Sequence, residues 1–372
     1  MSDVAIDSKA SSPGTLPAPK VLCAMSGGVD SSMAAALLQE QGFELVGSML
    51  RFWPDDRPAG AFDVCCSPDA AYDARRIADK IDVPFYLLDY REDFDRVVVD
   101  PFVPSYERGE TPNPCVWCNR DIKFGSFVKR AMMLGCDFMA TGHYVRRVEG
   151  AHGVELHRGR DDSKDQTYFL WALPRAILPY LLFPLGELTK DQVRAAAAER
   201  GFATAEKPSS NGLCFISDTV REYIEERSQA RPGPIVDAAA GFETIGEHQG
   251  VQFYTIGQKR GLGLHHSHLE RYVIELKADE NTVVVGTREM CQATGLTADR
   301  SSFLCLTEEV PERVMVQVRY RQTPVAARFS RAGEGTFSLV FDEPLFAVTI
   351  GQSAVLYDGD RLLGGGVIAS RS

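Results

Sequence analysis

The sequence predicts an α/β protein in which a doubly wound parallel sheet is followed by smaller units, the last of them all-β. Three observations carry this. Residues 20–41 read as strand, glycine-rich turn and helix. Strand-like and helix-like segments then alternate as far as Gly201, the signature of a parallel sheet with crossover helices. After about residue 230 the runs become short and often alternate between apolar and polar residues.

The elements follow in order. Lys20 to Met25 is a short apolar run ending in SGGVDSS, and Met33 to Gln41 is rich in helix formers and stopped by Gly42. A strand is expected over Leu45 to Phe52, then a helix opened by Ser67 and Pro68 at the N-cap and first-turn positions. Val83 to Asp89 and Cys136 to Thr141 give two more strands. Thr189 and Gln192 have capping-box spacing at the start of TKDQVRAAAAER, and Gly201 closes that helix. Pro and Gly cluster at 231–234. In VMVQVRY, the side chains of Val314, Val316, Val318 and Tyr320 would share one strand face, leaving Arg319 on the other. Asp358 and Gly359 sit between SAVLY and RLLGG as a tight hairpin turn.

Composition narrows the function classes. The 372 residues are 44% hydrophobic and 24% charged, which fits folded domains rather than a disordered chain. No apolar run approaches the roughly 20 residues of a membrane span, and no membrane partner is expected. Residues 1–19 carry acids, serines and prolines with no apolar stretch and are read as a disordered leader. Nine cysteines, an odd count spread over a long chain, suit a reducing compartment, so the expected location is the cytoplasm. The net charge of −11 disfavours a nucleic-acid partner at first sight. Its distribution says otherwise: residues 111–147 carry 6 bases and 2 acids, and residues 311–332 carry five arginines against Glu312 alone.

SGGVDSS lies between the first strand and first helix, where backbone N–H groups and the helix dipole favour an anion. Its glycines would let the backbone approach phosphate, and the hydroxyls of Ser26, Ser31 and Ser32 could donate to it. Walker-type spacing is absent. In TPNPCVWCN, two prolines hold the chain extended before a CxxC pair, Cys115 and Cys118, placed where a helix is expected to start; that position would depress a thiol pKa. Cys214 falls in SSNGLCFIS, a Ser-, Asn- and Gly-rich loop expected to be mobile. A zinc site normally needs four ligands, and no second CxxC is present. Cys23, Cys65, Cys66, Cys136, Cys291 and Cys305 are read as packing residues.

SGGxDS in this setting resembles the PP-loop of ATP pyrophosphatases (adenine nucleotide alpha hydrolase-like), enzymes that adenylate an oxygen and release pyrophosphate. SGGVDSS, TPNPC with Cys118-Asn119, ATGHY at 140–144, SKDQTYFL at 163–170, the Cys214 loop, YTIGQKRGLG at 254–263 and RYRQT at 319–323 occur in the order seen in bacterial tRNA-specific 2-thiouridylases (MnmA, also called TrmU). The resemblance implies ATP-dependent replacement of the C2 oxygen of the tRNA wobble uridine by sulfur. It also implies a PP-loop domain over residues 20–220, a small central domain over 221–285 and a C-terminal RNA-binding β-barrel over 286–372.

Carried onto this chain, the resemblance places ATP against Ala24, Met25, Ser26, Gly27, Gly28, Val29, Asp30, Ser31, Leu50 and Gly142. Asn113, Pro114 and Cys115 would meet the target base, and His143, Lys164, Asp165, Gln166, Arg319, Tyr320 and Gln352 would contact tRNA. Cys214 would accept sulfane sulfur from a donor protein, either a cysteine desulfurase or a sulfur relay protein, and would end in a disulfide with Cys118. Mg²⁺ would accompany ATP, with Asp30 the candidate ligand. Family members often have Asp where Cys115 stands, so the base that the carboxylate would supply is changed here. The change creates a triad, Cys115, Cys118 and Cys214, able to ligate three irons of a 4Fe-4S cluster. Persulfide relay is the preferred reading and the cluster its alternative. The competing functions are an amidating or ligating PP-loop synthetase and a non-enzymatic adenine-nucleotide or metal-binding module.

Overall fold

The computed structural model describes residues 18–53, 67–208, 212–217, 219–264 and 270–372. The leader expected at 1–19 therefore lies outside the described residues as far as residue 17, as do Cys65 and Cys66.

The first sheet contains β1 (Lys20–Ala24), β2 (Glu44–Arg51), β3 (Phe85–Asp89) and β4 (Phe138–Ala140), with a short Leu181–Leu182 strand at its edge. Its order is β3-β2-β1-β4 and then Leu181–Leu182, with every pair parallel. Alternate residues of β1 serve opposite faces. Val21 and Cys23 pack with α1 (Val29–Glu40), α2 (Pro68–Lys80) and the Lys190–Glu199 helix, whereas Leu22 joins Ile122, Phe124 and Phe127 on the other side. Burial on both faces explains why these strands read as continuous apolar runs. Because α1 lies on one face and the 118–133 helical stretch on the other, the chain changes faces between β1 and β4. The crevice beyond their C-terminal ends is where such sheets bind ligands.

Two of the predicted helices form with the predicted caps. Ser67 accepts a hydrogen bond from Ala70 N at 3.1 Å with Pro68 in the first turn. Thr189 and Gln192 complete both halves of a capping box, at 3.3 and 2.9 Å. Helix α1 starts four residues before the expected Met33, inside SGGVDSS itself. The Ser31 and Ser32 hydroxyls donate back to the Gly28 carbonyl, at 3.2 and 2.9 Å, and so fit helical backbone.

The central unit is a four-stranded sheet ordered Tyr272–Lys277, Thr282–Gly286, Gly233–Asp237, Glu243–His248. In the C-terminal unit six strands close into a barrel, the first (Gln292–Phe303) pairing with the last (Arg361–Arg371). Two details differ from expectation. Asp358 pairs with Arg361, so the hairpin loop is Gly359-Asp360, with Gly359 at φ +56°. The alternating run also stops early: its strand is Arg313–Gln317, and Arg319 lies beyond it. Gln317 is buried, accepts from Arg158 at 3.0 Å and donates to the Arg319 carbonyl at 3.1 Å, which turns the chain out of the strand.

An unanticipated hairpin, Val145–Gly150 with Gly153–Arg158, leaves the parallel sheet and pairs His157 with Arg361 at the barrel. Its last residue, Arg158, lies over the Tyr357 ring and forms an ion pair with Asp165 at 3.0 Å. Asp165 also accepts from Gly159 N and from the Thr167 hydroxyl. With 7% of its surface exposed, Asp165 serves as a joint between sheet and barrel. Removing it leaves the half-buried Arg158 guanidinium without its carboxylate partner, with only Gln317 and the Tyr357 ring beside it. Asp165→Ala should therefore lower stability by about 3 kcal/mol in urea unfolding, whereas exposed Lys129→Ala should stay within about 0.5 kcal/mol.

Candidate active site

The SGGVDSS turn projects from the C-terminal end of β1. Gly27 has φ +73°, and a Cβ there would run into the Ala70 carbonyl at the start of α2. Its glycine is thus required by internal packing. Gly28 faces open space, with only the Ser26 hydroxyl within reach of a Cβ, so phosphate can approach the backbone there. Gly28 is also the N-cap of α1 and makes no side-chain capping bond, leaving the first amides available to an anion. The hydroxyls are less available than expected. Ser32 is fully buried on Gly28, and Ser31 accepts from Ser26 N at 2.9 Å. Ser26 is the half-buried one of the three.

Behind this turn three distant segments converge on Asp30. Lys190 Nζ donates to both carboxylate oxygens at 2.6 and 2.7 Å, and the Tyr144 hydroxyl donates to one at 2.7 Å. Gly142 crosses so close that a Cβ would lie 2.7 Å from the Asp30 backbone carbon and 2.8 Å from Ser31 N. Asp30, the expected Mg²⁺ ligand, is bonded through both carboxylate oxygens to Lys190 and through one to Tyr144, so a metal would meet it on its remaining lone pair. Lys190 itself escaped sequence reasoning, which treated its segment only as a capped helix.

The remaining residues of this region divide. Gln166 accepts from Tyr144 N at 2.9 Å and so braces the same loop. Lys164 lines a cleft of about 640 Å³ with Arg160, Asp161, Asp162, Lys190, Asp191 and Arg194. His143 is bonded through Nδ1 to the Thr141 hydroxyl at 2.7 Å. Burial, with the Lys123 charge adding to it, pulls the imidazole down to about 3, so it is neutral at physiological pH.

Asn113 occupies the N-cap position of the short Pro114–Trp117 helix without a side-chain capping bond, and Cys118 stands where that helix passes into a π-helix, Cys118–Ser126. Wider π turns of this kind recur at functional sites. The depressed thiol expected from helix position is overturned: Cys118 is 6% exposed, and burial pushes its thiol up to about 12. Lys123 opposes the shift, and neighbouring Cys214 and Cys115 reinforce it. The three cysteines therefore share one neighbourhood. Half-buried Cys214 packs, with Phe215, against the core that contains Cys118. The mobility expected of its loop concerns a segment whose residues 209–211 and 218 lie outside the described ones. Among the described residues no three His, Cys, Asp or Glu side chains are gathered to hold a single metal ion. Asn119, which sequence reasoning did not single out, donates to the Phe169 carbonyl at 3.1 Å and ties this helix to SKDQTYFL.

From the barrel, Tyr320 packs on Phe169 with ring centroids 4.5 Å apart. Exposed Arg319 donates to the Ala347 carbonyl and the Thr349 hydroxyl, at 3.2 and 3.3 Å. The Gln352 amide donates to the Thr111 and Pro112 carbonyls, at 3.0 and 3.4 Å, which ties the barrel to the TPNPC segment.

Fold and site define an enzyme of the HUP class, in which a parallel α/β domain offers a glycine turn and helix amides to the phosphates of a nucleotide. Residues 19–218 match the family model described as a tRNA methyl transferase HUP domain. Residues 221–287 match the corresponding PRC-barrel domain, and 293–368 an aminomethyltransferase beta-barrel domain. Among relatives, the tRNA-specific 2-thiouridylase MnmA of Deinococcus radiodurans is 57% identical, covering 95% of this chain and 93% of its own. That of Thermus thermophilus is 52% identical over 94% of each chain, and that of Clostridioides difficile 42% identical over 94% and 98%. The chain belongs to the tRNA-specific 2-thiouridylase family.

A buried thiol with so high a pKa has a testable pH profile. Alkylation of Cys118 by iodoacetamide, read by peptide mass spectrometry, should rise about tenfold per pH unit from about 7 to 9.5 without levelling. A plateau near 8.5, as for an ordinary thiol, would contradict the burial assigned to it.

Proposed function

We propose that this chain is an ATP-dependent tRNA sulfurtransferase that replaces the C2 oxygen of the wobble uridine by sulfur. The observation that carries the reading is the pairing of two thiols, Cys118 and Cys214, in one core on the sheet that bears the phosphate-binding turn. An amidating synthetase needs no paired thiols, and methyl transfer needs neither thiols nor a pyrophosphate-releasing turn.

The uridine C2 oxygen attacks the α-phosphorus of ATP, and pyrophosphate leaves against the amides at Gly28 and the first turn of α1. The oxygen, a poor leaving group, is thereby converted into AMP. Sulfane sulfur arrives on Cys214, the more exposed thiol of the pair, from a persulfide-bearing donor protein. The terminal sulfur of the Cys214 persulfide adds to C2. Cys118 attacks Cys214 Sγ and breaks the S–S bond to the transferred sulfur, its proton passing to the phosphate of the departing AMP. AMP departs with the original oxygen, and the Cys118–Cys214 disulfide that remains is reopened by an external thiol reductant. A buried, protonated Cys118 suits this order, since a standing thiolate would discharge the persulfide before the base is activated. Mg²⁺ accompanies ATP in such chemistry, but no step is assigned to a metal through Asp30. Cys115 stands beside Asn113 and Pro114 at the expected base contact.

The tRNA would lie across the basic segments, with exposed Arg319 on the barrel as one phosphate contact. Thiol chemistry of this kind suits a reducing cytoplasm. No helix among the described residues is long and apolar enough to cross a membrane.

The reading is tested with purified protein, tRNA, ATP and a persulfide donor. Pyrophosphate release should depend on tRNA, and nucleoside mass spectrometry should find 2-thiouridine. Cys118→Ser and Cys214→Ser should each abolish 2-thiouridine while keeping pyrophosphate release, and Cys115→Asp should retain thiolation. Activity only after anaerobic iron–sulfur reconstitution, lost in Cys115→Asp, would favour the cluster chemistry instead.

A further inference from the structure

Three parts of the chain meet at one turn of the barrel, residues 347–352. From the catalytic side, Thr111 N donates to the Ile350 carbonyl at 2.8 Å, and Gln352 holds the carbonyls of Thr111 and Pro112. Gly351, at φ +89°, sits so close that a Cβ would lie 2.8 Å from Thr111 N. From the central unit, Gly257 of YTIGQKRGLG packs against Ala347, leaving no room for a Cβ of its own. From the barrel, Arg319 donates to Ala347 and Thr349, and Ala347 is held in the left-handed region at φ +57°. A non-glycine residue persists there only because its surroundings fix it.

The residues that this turn grips are the two immediately before Asn113, Pro114 and Cys115. Residues 110–113 belong to no helix or strand, and the turn supplies the hydrogen bonds that hold Thr111 and Pro112. We propose that Gln352 is a positioning residue: acting through Thr111 and Pro112, it sets the place of the Asn113–Cys118 segment over the target base. Arg319, bonded to the same turn on the face proposed for RNA, connects tRNA engagement to that placement. This deepens the thiouridylase reading and rests on it for the identity of the base.

Gln352→Glu keeps the length of the side chain and an acceptor but cannot donate to two carbonyls. At saturating tRNA, single-turnover thiolation should fall at least tenfold, while the Kd for tRNA stays within twofold and its salt slope is unchanged. Hydrogen exchange of peptides covering 111–118 should quicken in the variant, a readout that needs no activity. Gln352→Asn, which retains the donor one methylene short, should recover part of the rate, and it serves in place of the Glu variant should that fail to fold. A tenfold weaker Kd with an unchanged rate would make Gln352 a tRNA contact and overturn the proposal. Unchanged exchange over 111–118 would overturn it as well. Failure of the wild-type protein to thiolate would count against the thiouridylase reading, leaving the exchange measurement to decide the role of Gln352.

Discussion

The ion pair between Lys190 and Asp30 is the constraint on which the rest of the catalytic domain depends. Lys190 is 8% exposed, and an ammonium group so far from water is tolerated only with a partner. Its partner stands in the first turn of the helix that carries the phosphate-binding amides. The same carboxylate takes the Tyr144 hydroxyl, and Tyr144 is in turn braced by Gln166. One carboxylate thus fixes the glycine turn, the ATGHY loop, the SKDQ segment and the Lys190–Glu199 helix relative to one another. Gly142 is needed because this convergence leaves no volume for a side chain beside Asp30.

Paired with that rigid phosphate end is a sulfur end governed by burial. Cys118 lies among apolar side chains where its thiolate is disfavoured, while Cys214 keeps partial access to the outside. The two thiols thus differ in exposure: Cys118 is buried and its thiol pushed up, whereas Cys214 is half-buried. Desolvation outweighs both the nearby Lys123 charge and the helical position of the thiol.

Local features were legible in the sequence because local forces set them. The strand–turn–helix at 20–41, the Ser67 cap and the Thr189–Gln192 box each involve residues a few positions apart. Family motifs brought Cys118 and Cys214 forward together. What stayed hidden were partners far away in the chain. Asp165 looks like an exposed charge in SKDQ until Arg158 and Tyr357 are beside it. Gln352 has no meaning until Thr111 arrives from 241 positions earlier. Lys190 reads as a solubilising helix residue until Asp30 is placed opposite. The Cys118 thiol was misread because helix position is visible in sequence, whereas the depth of its burial is not.

The central claim is that Lys190 and Asp30 act as one unit holding the phosphate-binding turn, and a double-mutant cycle in urea unfolding tests it most directly. Asp30→Ala leaves a buried ammonium and should cost about 3 kcal/mol. Adding Lys190→Met, which fills the space without charge, should recover part of that loss, giving a coupling of about 1–2 kcal/mol. Losses that simply add would show the two residues to be independent and would contradict the account.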